Sequence, residues 1–323
     1  MSGTEQFLLG GGRGHATVQV GLVNNMPDAA MRATELQFAR ILKDAAGVLD
    51  VRLRLFSLAG VPRGEQARAR MEGFYDDAAF LQATGIDALI VTGAEPKSGD
   101  LRDEPYWPEL AHLIDWAETH TVSTLFSCLA AHAAVLHLDG VPRRPLPRKL
   151  SGVFSRARVE DDPLFFNMGL ESAVPHSRRN DIAESDLAAK GYRVLARLAD
   201  GQADIFTREL PGHSRFVFLQ GHPEYDPPIL GREYLRDMGR FLRGEAETAP
   251  TPQENYFDRA TENRLAAAGR DLDALTEIVH GALPRAHWRD ATVRFFTNWL
   301  NLVAAAKARR AASRAVHTRR RAS

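Results

Sequence analysis

The chain has 323 residues, of which 44% are apolar and 25% charged, so it is long enough for one large domain or two ordinary ones. Lysine plus arginine equals aspartate plus glutamate at 41 each, which excludes an overall electrostatic attraction to nucleic acid or to a membrane surface. The single cysteine, Cys128, excludes an internal disulfide framework and a cysteine-rich metal site. No apolar run is long enough to span a bilayer and the N-terminus lacks a signal-peptide pattern, so we expect a soluble cytoplasmic protein.

The first part of the chain alternates predicted strands with predicted helices. Apolar and β-branched runs that end at loop-forming residues predict strands within residues 16–27, 48–58, 86–96 and 122–128. Apolar residues at near-helical spacing predict helices within residues 28–47, 105–120 and 129–140. Strands that alternate with helices in this way imply crossover connections and a mostly parallel sheet.

The pattern changes beyond residue 140. Segments 149–160 and 192–209 predict strands of a more antiparallel section, and segment 215–226 predicts a buried strand that ends in a polar loop. Residues 244–256 are rich in proline, threonine and glutamate, which indicates a linker or a long loop. A closing helix around residues 293–312 leads into a strongly basic tail.

Candidate reactive residues lie where predicted strands end, which is where open parallel sheets place their active sites. Cys128 stands between a strand and a helix, as in a nucleophile elbow, and the helix N-terminus favours its thiolate. His222 is a candidate general base for that thiol, and Glu224 is placed to orient the imidazole. Backbone N–H groups after Cys128 and in the Gly93 loop are candidates for an oxyanion hole. The alternative stays open at this point, because a lone cysteine in an apolar stretch is often an inert core residue.

Seven short motifs carry a family resemblance between about residue 18 and residue 302. In chain order they are PYWPEL, VSTLFSC, KLSGVF, PHSR, GHPEYD, EYLRD and FFTNWLN. With these motifs in register, the chain resembles the homoserine O-succinyltransferases, the homoserine transsuccinylases of methionine biosynthesis.

The resemblance implies an α/β fold with a doubly wound, mostly parallel sheet. The core is expected to be flavodoxin-like, of the class I glutamine amidotransferase type, and to carry a C-terminal extension. The predicted organisation is an N-terminal segment, an amidotransferase-like acyltransferase domain, an extension that packs on the core and a disordered basic tail, at residues 1–17, 18–245, 246–302 and 303–323. A homodimer is expected from the family alone.

The resemblance also implies the roles of individual residues. Cys128 matches the nucleophile that takes the acyl group from acyl-CoA as a thioester, while His222 matches the general base and Glu224 its acidic partner. The substrates implied are acyl-CoA and L-homoserine or a similar amino alcohol, with no metal and no resident cofactor.

Substrate-binding positions of the family match Lys149, Ser177 and Arg236. The guanidinium of Arg236 suits a bidentate contact with the carboxylate of an amino acid, whereas Lys149 supplies a point charge.

Three positions depart from the family pattern. Leu129 and His132 stand where tryptophan and glutamine are usual after the nucleophile. Lys97 stands where a glycine or glutamate is associated with succinyl or acetyl preference, and we hypothesise that it pairs with the free carboxylate of a succinyl group.

The predicted function is therefore succinyl transfer from succinyl-CoA to L-homoserine. Acetyl transfer to homoserine or serine, acyl transfer to another amino alcohol, and a glutamine amidotransferase-like hydrolase remain alternatives. Nucleic-acid binding by the basic tail is not expected, because the tail lacks interleaved aromatic residues and the main body is neutral.

Overall fold

The computed structural model describes residues 7–8, 16–77, 81, 84–282, 284 and 286–321. The strands of this part are β1 (Phe7–Leu8), β2 (Thr17–Val23), β3 (Asp50–Ser57), β4 (Tyr75–Asp77), β5 (Ala88–Val91), β6 (Ser123–Ser127), β7 (Arg144–Arg158), β8 (Glu171–Asp181), β9 (Arg193–Leu198), β10 (Ala203–Arg208) and β11 (Arg215–Leu219). Its helices are α1 (Asp28–Ala45), α2 (Glu65–Phe74), α3 (Trp107–His120), α4 (Leu129–Asp139), α5 (Glu184–Ala189), α6 (Ile229–Leu242), α7 (Arg259–Ala268), α8 (Leu272–Gly281) and α9 (Arg289–Arg321).

One sheet joins the strands in the order β1-β3-β2-β5-β6-β11-β10-β9-β7-β8, with β4 also paired to β3. Strands β3, β2, β5, β6 and β11 run parallel to one another. From β11 onward the pairing is antiparallel through β10, β9, β7 and β8. The predicted mostly parallel sheet and its more antiparallel section are both confirmed, although the sequence did not indicate β8 as a strand.

Helices cover both faces of the parallel strands. Phe126 and Phe218 point to the face covered by α3 and α4, whereas their neighbours Leu125 and Val217 point to the face covered by α1 and α9. Strands β5 and β6 are buried along their whole length, because helices cover both faces of the sheet there. This is the doubly wound arrangement that was expected.

A third apolar cluster lies beside the sheet and joins α6, α7 and α8 to Trp288. Part of the predicted linker, residues 244–256, is fixed to β7 here. The Glu254 N–H donates to the Ser151 carbonyl at 3.0 Å, and the Glu254 carbonyl accepts from the Val153 N–H at 2.9 Å. Gly152 has φ 152°, and a Cβ there would lie 2.2 Å from the Glu254 oxygen, so only glycine permits this approach. The division into a domain and an extension stays a prediction.

The basic tail differs from its prediction. Helix α9 continues through residues 303–321, where disorder was expected. Alanine, arginine and lysine are strong helix formers, and the helix is also held by tertiary contacts. Lys307 Nζ bonds the Thr17 carbonyl at 2.9 Å and the Asp87 carboxylate at 2.7 Å. Residues 1–6, 9–15 and 322–323 lie outside the described part.

Among the helices that the structure describes, none is long and apolar enough to cross a membrane.

Candidate active site

Cys128 occupies the turn between β6 and α4 in a backbone conformation that non-glycine residues rarely adopt, with φ 50° and ψ −112°. Such a conformation costs about 1–3 kcal/mol and persists only where neighbouring structure enforces it. The Cys128 N–H donates to the Leu219 carbonyl of β11 at 2.7 Å, and the Cys128 carbonyl accepts from the Ala131 N–H at 2.9 Å. A core cysteine has no need of this strain, so the geometry favours the nucleophile.

His222 and Glu224 follow β11, the strand that pairs with β6. Their side chains are 8% and 6% exposed, and His222 Nδ1 lies 2.8 Å from Glu224 Oε1. Because the carboxylate accepts the Nδ1 proton, Nε2 is the ring nitrogen left to interact with Cys128, the other neighbour that raises the pKa of His222. The structure therefore brings the three predicted catalytic residues together in the order of nucleophile, base and orienting acid.

The charge state of His222 reflects its two neighbours. Burial disfavours the imidazolium, but Cys128 on one side and Glu224 on the other outweigh burial and raise the pKa of His222 well above its usual value of 6.5. The protonated ring is thus retained to higher pH than in an ordinary histidine, which favours an ion pair with a Cys128 thiolate.

The loop that carries His222 is anchored on several sides. The His222 N–H donates to the Pro175 carbonyl of β8 at 2.7 Å, and the ring stacks on Tyr225 with centroids 4.3 Å apart. Trp288 Nε1 donates to the Tyr225 carbonyl at 2.9 Å, and Thr292 Oγ1 donates to the Pro223 carbonyl at 3.2 Å. Trp288 and Thr292, around the start of α9, therefore help to fix the loop that carries His222, a role that the sequence did not indicate.

The predicted oxyanion groups also lie together. A Cβ added to Gly93 would lie 2.5 Å from the Leu129 Cβ, so the Gly93 loop packs directly on the first turn of α4. The N–H groups of Leu129 and Ala130 precede the first helical hydrogen bond, which the Ala131 N–H donates to Cys128. These helix-terminal N–H groups directly follow Cys128 and have no acceptor within their own helix, as the predicted oxyanion hole requires.

The charged face of helix α6 includes Arg236 and contacts Lys149 of β7, so two of the predicted substrate-binding residues meet there. Lys149 Nζ lies 2.7 Å from Asp237 Oδ2, and the Arg236 guanidinium lies 2.8 Å from Asp237 Oδ1. Glu233 accepts a 2.8 Å hydrogen bond from the Tyr225 hydroxyl, so this face is joined to the ring that stacks on His222. Glu233 and Asp237 were not among the predicted site residues, although their spacing with Arg236 in EYLRD places all three on one face of a helix.

Ser177 and Lys97 have weaker connections to the site. Ser177 is half-buried on β8, opposite Ser151 and two residues from the Pro175 carbonyl that holds the His222 loop. Lys97 is exposed, and its backbone N–H donates to the carboxylate of buried Glu104 at 2.6 Å. The Lys97 ammonium makes no ion pair with any residue that the structure describes.

The two departures after the nucleophile lie on α4. Leu129 is half-buried and packs against the apolar cluster on its side of the sheet. His132 is 3% exposed, and its Nε2 lies 2.9 Å from Gln220 Oε1.

Comparison with known proteins supports the resemblance on which these residues were chosen. The family model for homoserine O-succinyltransferase matches residues 13–309. The homoserine O-succinyltransferases of Rhodopseudomonas palustris and Methylorubrum extorquens are each 50% identical to this chain, over 292 and 295 residues, with 88% of this chain and 87% of the relative covered in both cases.

A solved structure of a glutamine amidotransferase from Methylobacillus flagellatus superposes with a TM-score of 0.50 at 14% sequence identity and covers 89% of this chain and 95% of that one. At that identity the likeness shows the fold alone, and it confirms the predicted amidotransferase-like core. The family match spans most of the chain, and the relatives agree with it. This chain belongs to the homoserine O-succinyltransferase family.

Proposed function

We propose that this chain transfers the succinyl group of succinyl-CoA to the hydroxyl of L-homoserine, a step of methionine biosynthesis, through a thioester on Cys128. Family membership supports the reaction and the two substrates. The observation that carries the mechanism is the strained turn at Cys128 next to the His222–Glu224 pair. Cytoplasmic location and a homodimer stay predictions.

In the first half-reaction the Cys128 thiolate attacks the thioester carbonyl of succinyl-CoA. The carbonyl oxygen gains negative charge, and in this mechanism the N–H groups of Leu129 and of the Gly93 loop donate to it; the packing of Gly93 against Leu129 supports this role. The C–S bond to CoA then breaks, and the CoA thiolate takes a proton from the His222 imidazolium. One thioester replaces another, so this step depends on positioning more than on driving force.

In the second half-reaction the same histidine acts as a base. Acylation removes the charge of Cys128, which is one of the two groups that raise the pKa of His222. The pKa of His222 therefore falls in the acyl-enzyme, and the neutral ring takes the proton of the homoserine hydroxyl as its oxygen attacks the thioester. The Cys128 thiolate leaves, the ester is released and the ion pair re-forms.

The α6 face is the proposed site for the amino-acid substrate. Arg236 offers a planar guanidinium to the homoserine carboxylate, and Lys149 adds a second positive charge. Both cations contact Asp237, which holds them in place on a half-exposed surface. The homoserine carboxylate would bind the two cations by sharing them with Asp237 or by displacing it. The homoserine ammonium group would pair with Glu233, which lies in the same cluster.

Lys97 is the proposed contact for the far carboxylate of the succinyl group. It is exposed and lies on the loop that also contains Gly93, which packs on the first turn of α4. Replacing it with alanine is expected to lower kcat/KM for succinyl-CoA about threefold to tenfold while leaving acetyl-CoA turnover unchanged, as for a solvent-exposed charge pair. If the ratio of kcat/KM for succinyl-CoA to kcat/KM for acetyl-CoA is the same in Lys97→Ala as in wild type, the proposed role of Lys97 is contradicted.

The mechanism is tested with succinyl-CoA alone. Intact-mass measurement should find one succinyl group on the wild-type chain, and peptide mapping should place it on Cys128. The Cys128→Ala variant should fold, as judged by circular dichroism, while giving no adduct and no transfer. A wild-type chain without adduct, or full transfer activity in Cys128→Ala, overturns the thioester route.

The substrates are tested with a matrix of succinyl-CoA and acetyl-CoA against homoserine and serine, followed by free CoA release. The proposal expects the succinyl-CoA and homoserine pair to give the highest kcat/KM. If acetyl-CoA gives the higher kcat/KM, the proposed acyl donor is wrong. If serine is preferred to homoserine, the proposed acceptor is wrong. If the chain releases ammonia from glutamine and shows no CoA-dependent transfer, the alternative of an amidotransferase-like hydrolase is favoured instead.

A further inference from the structure

Two buried side chains join the element that carries the proposed nucleophile to the loop that carries the proposed general base. His132 lies on α4 and Gln220 follows β11, and their side chains meet through His132 Nε2 and Gln220 Oε1 at 2.9 Å. His132 is 3% exposed and Gln220 is fully buried. A polar contact with so little solvent around it is held in one geometry.

The hydrogen bonds of Gln220 determine which group donates in this contact. Gln220 Nε2 donates to Asp181 Oδ1 at 3.0 Å and to the Ala203 carbonyl at 2.6 Å, which uses both amide hydrogens. Gln220 Oε1 is therefore an acceptor, and His132 must carry its proton on Nε2. Burial, together with the positive charge of Arg178, lowers the pKa of His132 to about 3, so the ring is a neutral donor.

Each partner is close to one of the reacting residues along the chain. His132 is one helical turn after Cys128, and its N–H donates to the Cys128 carbonyl at 3.3 Å. Gln220 is two residues before His222, and its N–H donates to the Asp204 carbonyl at 2.9 Å. The contact therefore joins the start of α4, next to Cys128, to the end of β11, next to His222.

We propose that His132 is a positioning residue, which fixes the distance between Cys128 and His222 by donating to Gln220. The proposal rests on the catalytic roles proposed for those two residues. In this proposed role, His132 contacts no reacting atom. Removal of the donor leaves Gln220 Oε1 buried without a partner, and the His222 loop shifts to satisfy it. A shift of about 1 Å at a reacting pair lowers the rate by up to about 100-fold.

The experiment compares three substitutions at position 132. His132→Leu and His132→Met fill the space with apolar atoms and have no donor, whereas His132→Gln keeps an N–H that reaches Gln220. The matched control is His137→Leu, which removes a histidine of the same helix whose Nε2 contacts Asp115 on the far side of α4 from Gln220. Circular dichroism and thermal unfolding establish whether each variant is folded. If His132→Leu does not fold, the test rests on His132→Met.

Two readouts separate positioning from general stability. The first is the rate of Cys128 succinylation at saturating succinyl-CoA, and the second is the rate of Cys128 alkylation by iodoacetamide, which needs no substrate site. We expect both rates to fall about 10- to 100-fold in His132→Leu and His132→Met, with little change in KM. His132→Gln should recover both to within about threefold of wild type, and His137→Leu should match wild type.

The outcomes distinguish this inference from the proposed function. If the wild-type chain forms no succinyl adduct on Cys128, the proposed function fails and the positioning role fails with it. If the wild-type chain forms the adduct and His132→Leu or His132→Met forms it equally fast, only the positioning role is overturned. Failure of His132→Gln to recover the rate also overturns it, because the donor is then not what matters.

Discussion

The side chains around Cys128, at the carboxyl ends of β6 and β11, and those around Arg236, on α6, are held in place in different ways. His222 and Glu224 are almost fully buried and are held by strand ends and backbone hydrogen bonds. The Arg236 side chain is 46% exposed and pairs with Asp237, a neighbour on its own helix. The proposed reacting groups are thus held by the fold itself, whereas the proposed recognition groups pair with a protein carboxylate, which a substrate carboxylate would have to share. Reactivity should therefore depend on buried contacts, and affinity on exposed ones.

The largest effect should come from the buried side. Glu224→Gln is expected to lower kcat about 10²- to 10⁴-fold, because glutamine no longer enforces the Nδ1–H form of His222 or stabilises its imidazolium. The pKa of His222 should fall at the same time, since Glu224 is one of the groups that raise it. In free enzyme, where activity needs the imidazolium, the loss of kcat/KM for succinyl-CoA with rising pH should then begin at lower pH than in wild type. Steady-state rates across pH 6 to about 10 measure both changes.

Glu118→Gln is the matched control for that substitution. Glu118 is a half-buried carboxylate that pairs with Arg208, and its carbonyl accepts the Ser214 N–H at the opposite end of β11. It should leave kcat and the pH profile unchanged. A similar loss in both variants would mean that the rate depends on folding rather than on the His222–Glu224 contact.

An intermediate effect is expected on the exposed side. Arg236→Lys should raise KM for homoserine about 10- to 100-fold, because one ammonium cannot replace two parallel hydrogen bonds to a carboxylate. Formation of the succinyl adduct should stay at the wild-type rate, since homoserine takes no part in that half-reaction. Arg232→Lys, an exposed arginine one turn earlier on α6, is the control. Slower adduct formation in Arg236→Lys would break the proposed separation of reactivity from recognition.

The smallest effect concerns stability against acid. The pKa of His132 is lowered from the ordinary value of 6.5 to about 3 in the folded chain, so its neutral form stabilises the fold above pH 6.5 and that contribution is lost as pH falls towards 3. His132→Gln removes this titration. The unfolding free energy of the variant relative to wild type should therefore rise by about 2 kcal/mol between pH 7.5 and pH 5. Urea unfolding at the two pH values measures it, and an equal difference at both would contradict the buried neutral ring.

Local patterns were sufficient for much of the fold. The mainly apolar run at residues 122–128 predicted a buried strand, because a strand covered on both faces has no regular polar positions. Apolar residues at helical spacing in residues 28–47 predicted α1, because a helix buried on one face repeats its apolar positions about every 3.6 residues. The same reasoning failed for the basic tail. Its charge predicted disorder, whereas α9 is stabilised there by helix propensity and by contacts of Lys307 with Thr17 and Asp87, which are far away along the chain.

The sequence by itself determined the strand ends at Cys128 and His222, and its motifs determined the family. Only the tertiary structure decided that the thiol lies in a strained turn, that Glu224 faces His222, and that Lys149 and Arg236 share Asp237. The contact of His132 with Gln220 is of the same kind, since the two residues are 88 positions apart. Periodicity records whether a residue is buried, but it does not record its partner. Partners depend on strand order and register, which distant parts of the chain settle together.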